Sequence, residues 1–570
     1  MVIFLYMIKQ KIAEKIKKAF KKEFNIALDE VDLSYPESQF GDFSVSCHKF
    51  AKDLKMSPQE IAQKLSETLK DKLIAKTEAI AGYLNIFVDS GMLSKEVLSD
   101  ILNQENAYGS SKITKQKIVL EYSSPNTNKP LHLGHARNNM LGMSLSCLLE
   151  SQGAEVIKTQ IINDRGIHIM KSLVAYQKLG NNETPESAGM KGDHFVGKYY
   201  VLFDEETMMD EAQEALRKWE AGDAKVVKLW EQMNKWVYEG YEDTYRDLGS
   251  EFDKDYYESE IYKSGKEIVA QGILKDVFKK EEDGSVSINL EDIDLDKKIL
   301  QRADGTSIYI TQDLALAVER QKEFKADSLI YVVGQEQEYH FKVLFEILKR
   351  LGYEWAKNLR HLSYGLVFLP EGKMKSREGK VVDADDIIAE VEDLAAKEIK
   401  KRFPEISDAE LGQRSDAIGL GALKFMLLRV TPSQAIHFDP KEAISFEGST
   451  GPYVQYVFAR ISSILENMEL PEIDDVDFSL LAEKEEKELV LKLMQYPEVL
   501  SSAAENYNPS ALCNYLLELS QIFNSFYHKH SVLKAEGGTV RDARLCLIAS
   551  ARIVLKNGLN ILGIEAVSKM

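Results

Sequence analysis

This 570-residue sequence is short of cysteine, short of positive charge and without any long apolar run. Its four cysteines, Cys47, Cys147, Cys513 and Cys546, lie far apart, with no CxxC pair and no histidine pair beside them. A disulfide framework and a structural zinc site both need tighter clusters, so neither fits. A reducing compartment does fit, and the cytoplasm is the expected location. No stretch approaches the roughly 20 apolar residues that span a bilayer, so no membrane association is expected. The opening Met1–Met7 is apolar but only about two helical turns long. No cationic segment precedes it, as a secretory signal requires, and Met7 is an alternative start of translation. Asp plus Glu number 91 against 72 Lys plus Arg, a net charge of −19. Such a chain does not coat nucleic acid wholesale, although a local basic face remains compatible. Internal repeats and low-complexity runs are also absent. What is there is an ordinary globular composition, 44% hydrophobic and 29% charged, which excludes a disordered chain. The length is too great for one core and points to three or four domains.

Residues 8–24 place Ile8, Ile12, Ile16, Phe20 and Phe24 four apart among lysines, the spacing of an amphipathic helix. A second helix follows Ser57-Pro58, and residues 78–89 alternate like a strand. A small α+β domain is predicted over residues 1–110. From Ile118 the grammar changes to strand, proline-rich turn, helix from about Gly134 to Glu150 with Gly153 placed to cap it, and a strand at 154–164. This is the βαβ pattern of a parallel sheet, with further strands at 328–334 and 361–369. An α/β domain is therefore predicted over 111–395, interrupted by a mostly helical insertion at about 180–300. A connecting helical region over 396–450 and a helical bundle over 451–570 complete the chain.

Two segments carry chemistry. In residues 121–139 a strand ends, the chain turns through Pro125 and Pro130, and His132-Leu133-Gly134-His135 opens a helix. A helix N-terminus favours phosphate, the imidazoles can donate to it, and Lys129 adds a point charge. Gly134 removes a side chain where a flat base could lie against the backbone. A metal pair is the plain alternative, but the spacing and the lack of carboxylate partners make it a poor one, and no resident metal is expected. The second segment, residues 372–380, sets Lys373, Lys375, Arg377 and Lys380 between glycines after the last strand. A cationic loop there can stabilise charge on a polyphosphate; taken alone, a solvated basic loop is an equal reading.

Together the two segments resemble the HIGH and KMSKS signatures of class I aminoacyl-tRNA synthetases. The wider resemblance, over almost the whole chain, is to the arginyl-tRNA synthetases. It rests on Ser123–Asn126, Lys129-Pro130, His132 and Gly134-His135; on Asn163-Asp164-Arg165-Gly166, where the family has tryptophan in place of Arg165; and on residues 302–315, 332–341 and 446–460. "FGDFSVSC" and "AGYLNIFV" are similar to the family's N-terminal domain. The resemblance implies a Rossmann-type parallel-sheet catalytic domain with an N-terminal α+β domain and a C-terminal anticodon-binding helical bundle.

The activity implied is formation of arginyl-adenylate from L-arginine and ATP, with Mg²⁺ accompanying ATP, then transfer of arginine to tRNA(Arg). A monomer is expected, and activation is expected to need bound tRNA. The implied phosphate-handling residues are Lys129, His132, Gly134, His135, Lys373, Met374, Lys375, Ser376 and Arg377, with ATP held by His132, Gly134, His135, Lys373 and Ser376. Lys375 precedes Ser376 where the second signature lysine would follow the serine, so either Lys129 or Lys375 supplies the missing charge. Arginine selection falls to Asp313 beside Tyr309, to Glu121 as a second carboxylate, and to Ser124, Asn126 and Gln337 for the substrate's amino and carboxylate groups. By spacing alone Asp313 is an ordinary helix-cap residue. The implied tRNA contacts are Tyr453, Arg460, Tyr527, His528 and Met570; near a helix end, Tyr527 and His528 offer the stacking surface that splayed bases use. The alternatives are another class I synthetase or a non-catalytic RNA-binding relative, and both signatures argue against the second.

Overall fold

The computed structural model describes residues 7–112, 114–306, 308–370, 372–373, 382–533 and 538–570. In the N-terminal domain α1 (Met7–Phe24) buries Ile8, Ile12, Ile16 and Phe20, the predicted stripe. It packs against α2 (Pro58–Thr68), which lies on a sheet of β1 (Phe43–Ser46), β2 (Ile74–Ile80) and β3 (Tyr83–Val88) in the antiparallel order β1-β3-β2. Ser57 and Glu60 cap α2 reciprocally, and Pro58 takes the first-turn position that needs no N–H. The alternation over 78–89 is not one strand. Ala81 and Gly82 both take positive φ (50° and 80°), the two-residue turn whose twist matches a hairpin, and the chain doubles back. α3 (Ser90–Gln104) then leads out of the domain.

The parallel sheet is built from β4 (Lys117–Glu121), the crossover helix α4 (Leu133–Ser151) and β5 (Glu155–Ile162). Gly153 stops α4 at φ +93°; a Cβ there would stand 2.7 Å from the Thr114 carbonyl oxygen. Helices α5 (Gly192–Val201) and α6 (Ala224–Leu248) follow, and β6 (Lys254–Tyr257) returns to the sheet edge. Beyond Leu248 the inserted region departs from the helical expectation. Lys279–Lys280, Val286–Ile288 and Lys298–Gln301 form a small antiparallel sheet of strands too short to show a period. Next come α7 (Tyr309–Phe324), β7 (Ser328–Gly334), α8 (Glu338–Arg350) and β8 (Leu359–Tyr364), which complete an all-parallel sheet in the order β8-β7-β4-β5-β6. The strand expected over 361–369 is split. Gly365 breaks it, its carbonyl gripped by the buried Arg137 guanidinium, and Val367–Leu369 leaves to pair with Ile436–His437.

The remainder is helical: α9 (Ala384–Arg402), α10 (Asp408–Leu428), α11 (Gly451–Leu465), α12 (Lys484–Met494), α13 (Tyr496–Glu505), α14 (Ser510–Lys529) and α15 (Gly538–Ile561). One hydrophobic cluster runs from the N-terminal domain under α4 into this bundle, and a second fills the other sheet face beneath α7 and α8. Each fully buried Leu or Phe contributes roughly 1.5–3 kcal/mol. Polar contacts seal the N-terminal domain to the bundle: Lys9 to Glu498 at 2.9 Å, Lys487 to Asp42 at 2.9 Å, and Tyr108 to the Leu493 carbonyl at 3.2 Å.

Candidate active site

The carboxyl ends of β4, β5 and β7 stand side by side in the parallel sheet, the place where such sheets bind ligands. His132 is the N-cap of α4. Its Nδ1 accepts from the backbone N–H groups of Gly134 (3.1 Å) and His135 (3.3 Å), while the His132 N–H donates to His135 Nδ1 at 3.1 Å. Two imidazoles thus make a reciprocal cap of the kind that Ser and Glu usually make. An Nδ1 that accepts leaves the proton on Nε2, so each ring keeps one donor for a phosphate. The rings stack with centroids 3.8 Å apart. Burial, with Lys129 adding, pushes His132 down to about 4. Burial, with His132 and Lys129 adding, takes His135 well below the ordinary value. Both are neutral donors at physiological pH. Gly134 gives the stack its room, since a Cβ there would stand 3.0 Å from His132 Cε1.

The turn before this helix is strained and held. Ser123 and Ser124 are consecutive left-handed residues (φ 68° and 53°), a conformation costing about 1–3 kcal/mol each. The Ser123 N–H donates to Asn138 Oδ1 (2.6 Å), and Ser124 Oγ donates to Glu121 Oε1 (3.3 Å). From the insertion, the Tyr241 hydroxyl lies 2.7 and 2.8 Å from the carbonyl oxygens of Asn126 and Lys129. Lys129 is half-buried, and that burial lowers its pKa.

Tyr309 opens α7, 71% exposed, and Asp313 follows one turn later on the same face. Asp313 Oδ2 lies 2.7 Å from His340 Nε2 on α8, and Gln337, exposed, stands just before that helix. Asn126 is exposed at the end of the β4 turn. Glu121, expected as a second carboxylate for arginine, is buried in an ion pair with Arg320, itself fully buried. A carboxylate that the sequence reading passed over is Glu258, directly after β6. It is buried, with Arg165 Nη1 3.8 Å away. Burial pushes it up to about 7, opposed by Arg165 and reinforced by Asp164 and Asp313. Its signal was position at a strand end, and β6 is too short to read as a strand. Arg165, where the resembling family has tryptophan, stands over the Tyr262 ring (4.1 Å) and near Trp219 (5.6 Å), ion-paired with Glu220 at 2.7 Å. A planar cation on aromatic faces can occupy an indole's space.

Comparison with known proteins decides the family. Residues 97–438 match the catalytic domain model of class I (R) tRNA synthetases, 454–570 the DALR anticodon binding domain, and 7–88 the arginyl-tRNA synthetase N-terminal domain. The chain belongs to the arginyl-tRNA synthetases. It is 47% identical over 546 residues to an arginine–tRNA ligase of Treponema denticola, covering 92% of each chain. Against that of Parabacteroides distasonis it is 42% identical, covering 99% of this chain and 100% of the relative. Its fold superposes on Thermus thermophilus arginyl-tRNA synthetase with a TM-score of 0.83 at 26% identity, over 99% of this chain and all of that one. The Plasmodium falciparum structure shares the fold with a TM-score of 0.82 at 18% identity, over the full length of both chains. The chain is an arginine–tRNA ligase of class I: it activates arginine with ATP and charges tRNA(Arg).

In this arginyl-tRNA synthetase the bundle gathers most of the expected tRNA contacts into one patch. Arg460 donates to Asn524 Oδ1 and to the Tyr456 hydroxyl, both at 2.9 Å, and lies over the Tyr456 (4.7 Å) and Tyr527 (5.1 Å) rings. Asn524 donates in turn to the Tyr453 hydroxyl at 2.9 Å. His528 is exposed beside Tyr527. Tyr456 and Asn524 belong to the patch without having been singled out in the sequence. Met570 is half-buried against the helical core, on a tail held by Lys424 on the Gly563 carbonyl (2.7 Å) and Gln455 on that of Glu565 (2.8 Å). Met374, Lys375, Ser376, Arg377 and Lys380 lie outside the described residues, and Lys373 is described by its backbone alone, paired with Phe368. No helix among the described residues is long and apolar enough to cross a membrane.

Proposed function

We propose that this site performs the two steps as follows. A carboxylate oxygen of arginine attacks the α-phosphorus of ATP, the bond to the β,γ-phosphates breaks, and pyrophosphate leaves. The terminal ribose hydroxyl of tRNA(Arg) then attacks the arginyl carbonyl and AMP departs. His132 and His135 donate from Nε2 to the phosphates, and Lys129 and the 373–377 loop meet the charge that builds on them. Asp313, Glu258 and the Tyr309 hydroxyl face the substrate guanidinium, while Ser124, Asn126 and Gln337 hold its amino and carboxylate ends. Glu121 shapes the β4 turn through Ser124 and Arg320. The donor set of His132, His135 and Lys129 contains no carboxylate that would hold a metal ion, so these residues would meet an ATP whose accompanying Mg²⁺ would offset phosphate charge. Catalysis is orientation and electrostatics, without a covalent protein intermediate. The patch at Tyr453, Arg460, Tyr527 and His528 stacks anticodon bases, Met570 adds an apolar tRNA contact from the C-terminal tail, and residues 1–110 form a further tRNA-contacting domain. The enzyme works as a cytoplasmic monomer.

The observation that carries this reading is the pair of half-buried, mutually capping neutral imidazoles at the start of α4, on the side of the sheet's strand ends where Asp313 and Glu258 also stand. Aminoacylation of tRNA(Arg) with labelled arginine tests it, and charging must fail in a His132→Ala variant that remains folded.

Two expectations arise here. Lys129 holds a half-buried ammonium that no hydrogen bond or ion pair engages among the described residues. Lys129→Ala is therefore expected to slow single-turnover adenylate formation far more than it weakens arginine binding, with Lys375→Ala the milder change. The reverse ranking would assign the missing signature charge to Lys375. The second concerns Glu258, which titrates near 7. Only its ionised form attracts a guanidinium, so the KM for arginine should fall severalfold as pH rises from about 6 to 8. A Glu258→Gln enzyme should show a raised KM that no longer responds to pH.

A further inference from the structure

Behind the HLGH segment, charged side chains from the insertion and from α9 meet. Asp385, in the first turn of α9, accepts from Lys191 Nζ (2.7 Å), from His194 Nε2 (2.8 Å) and from the Thr244 hydroxyl of α6 (2.9 Å). His194 Nδ1 lies 3.6 Å from Oδ2 of Asp383, the N-cap of α9. Asp193 is fully buried beneath them, 3.6 Å from Lys191. Asp193, His194 and Asp385 offer donor atoms within 4.8 Å of one another, a spacing a metal ion could use. The Lys191 ammonium already stands among them, so the cluster carries its own cation.

What this cluster holds is the strand that presents His132. The Leu133 N–H donates to the Val382 carbonyl (3.2 Å), the Ala384 N–H to that of Leu131 (2.8 Å), and His132 pairs antiparallel with Asp383. Any displacement of the first turn of α9 is therefore carried straight into the residue that caps α4. The same insertion helices hold the other side of the motif. Tyr241 of α6 secures the Asn126 and Lys129 carbonyls, and Gly197 of α5 lies so close that a Cβ would stand 2.9 Å from Pro130 Cδ.

We infer that His194, together with Lys191 and Asp385, is a positioning residue for adenylate formation, clamping α9 so that His132 and His135 stay aligned with the phosphates. The inference rests on the reading of those two histidines as phosphate donors. His194 touches no substrate. Its hydrogen bond to Asp385 raises its pKa; burial opposes this, and Asp193 and Asp383 assist. Burial acts on Asp385 too, but the bonds from His194, Lys191 and Thr244 outweigh it and hold the carboxyl at about 2. Asp383 is pushed to about 6 by burial, with His194 opposing and Asp386, Asp385 and Asp193 adding. Asp247 of α6 is raised by burial, and nearby Lys191 and Asp385 act on it in opposite directions. The His194–Asp385 ion pair is therefore complete below the ordinary histidine value and lost as pH rises through the raised one, while Asp383 adds an acid limb near 6.

The test is single-turnover adenylate formation with tRNA(Arg) present, at saturating arginine so that Glu258 does not enter, from about pH 6.5 to 9. The wild-type rate should descend through the raised His194 pKa. His194→Gln keeps a donor to Asp385 without the charge. It should lower the neutral-pH rate about tenfold, as a small misplacement of reacting groups does, leave the KM for arginine within about twofold, and abolish the limb. Lys191→Met should lower the rate and keep a limb, whereas Asp385→Asn should move the limb to lower pH. Circular dichroism confirms folding, and if His194→Gln does not fold, the Asp385→Asn limb decides. A His194→Gln profile parallel to wild type, or an unmoved limb in Asp385→Asn, overturns the inference. His132→Ala run alongside separates the failures: if that variant forms adenylate normally, the phosphate reading has failed instead.

Discussion

Asp313→Asn should lower kcat/KM for arginine about a hundredfold while leaving the KM for ATP near its wild-type value. The substrate guanidinium keeps its charge at any working pH and needs an anion once it is out of water. Asp313 sits one turn into α7, beside Tyr309, with His340 2.7 Å away to orient the carboxylate. Losing one partner of a buried charge pair costs about 3–5 kcal/mol. The Asp313 side chain is 38% exposed before substrate covers it, so part of that interaction is screened and the lower end applies. The amide keeps size and shape, so the loss reports charge and not packing. Pyrophosphate exchange measured against arginine concentration, with tRNA(Arg) present, reads the effect. Equal arginine kinetics in the two enzymes would remove Asp313 from the pocket and shift the selection of arginine onto Glu258.

The contrast between these two carboxylates shows what a single sequence can disclose. Asp313 was legible because Tyr309 stands four residues before it in a motif, and the HLGH helix because imidazoles flanking a glycine after a proline turn are an unusual helix start. The reciprocal cap they form was not legible, since periodicity carries no tautomers. Glu121 read as an available anion because its type and strand-end position were visible; its partner Arg320 is 199 residues away. Glu258 was silent because β6, only Lys254–Tyr257, joins the sheet edge by pairing with β5 and not by any pattern of its own. The hairpin at 78–89 was hidden for a related reason: Ala81-Gly82 is a weak turn signal between residues that alternate as one strand would. In the bundle, Arg460 and Tyr527 were each readable, while Asn524, which joins Arg460 to Tyr453, acquires a role only when the helices pack.

That packing bears on the second large effect: pyrophosphate exchange with arginine and ATP alone should be negligible and should appear once tRNA(Arg) is added. The helix that carries the two imidazoles lies directly against α10, α13 and α15, so the anticodon bundle and α4 share one hydrophobic cluster. A tRNA held at both ends favours the arrangement of α4 that it fits best, by the difference in its affinity for the two states. Moving a population from 1:99 to 99:1 takes about 5.5 kcal/mol of such differential binding. Cutting the chain near residue 450 is a poor test, because it strips α12, α13 and α15 from the N-terminal domain and bares buried faces of both. Arg460→Ala is the better one. It removes the cation that lies over Tyr456 and Tyr527 and bonds to Asn524, and it leaves the catalytic site untouched. Exchange in that variant should need roughly tenfold or more tRNA to reach the wild-type level, as expected for an interfacial arginine worth about 1–3 kcal/mol on stacked bases. Its KM for ATP should not move. Full exchange without any tRNA would reject the coupling between bundle and catalytic site while leaving the ligase activity as it stands.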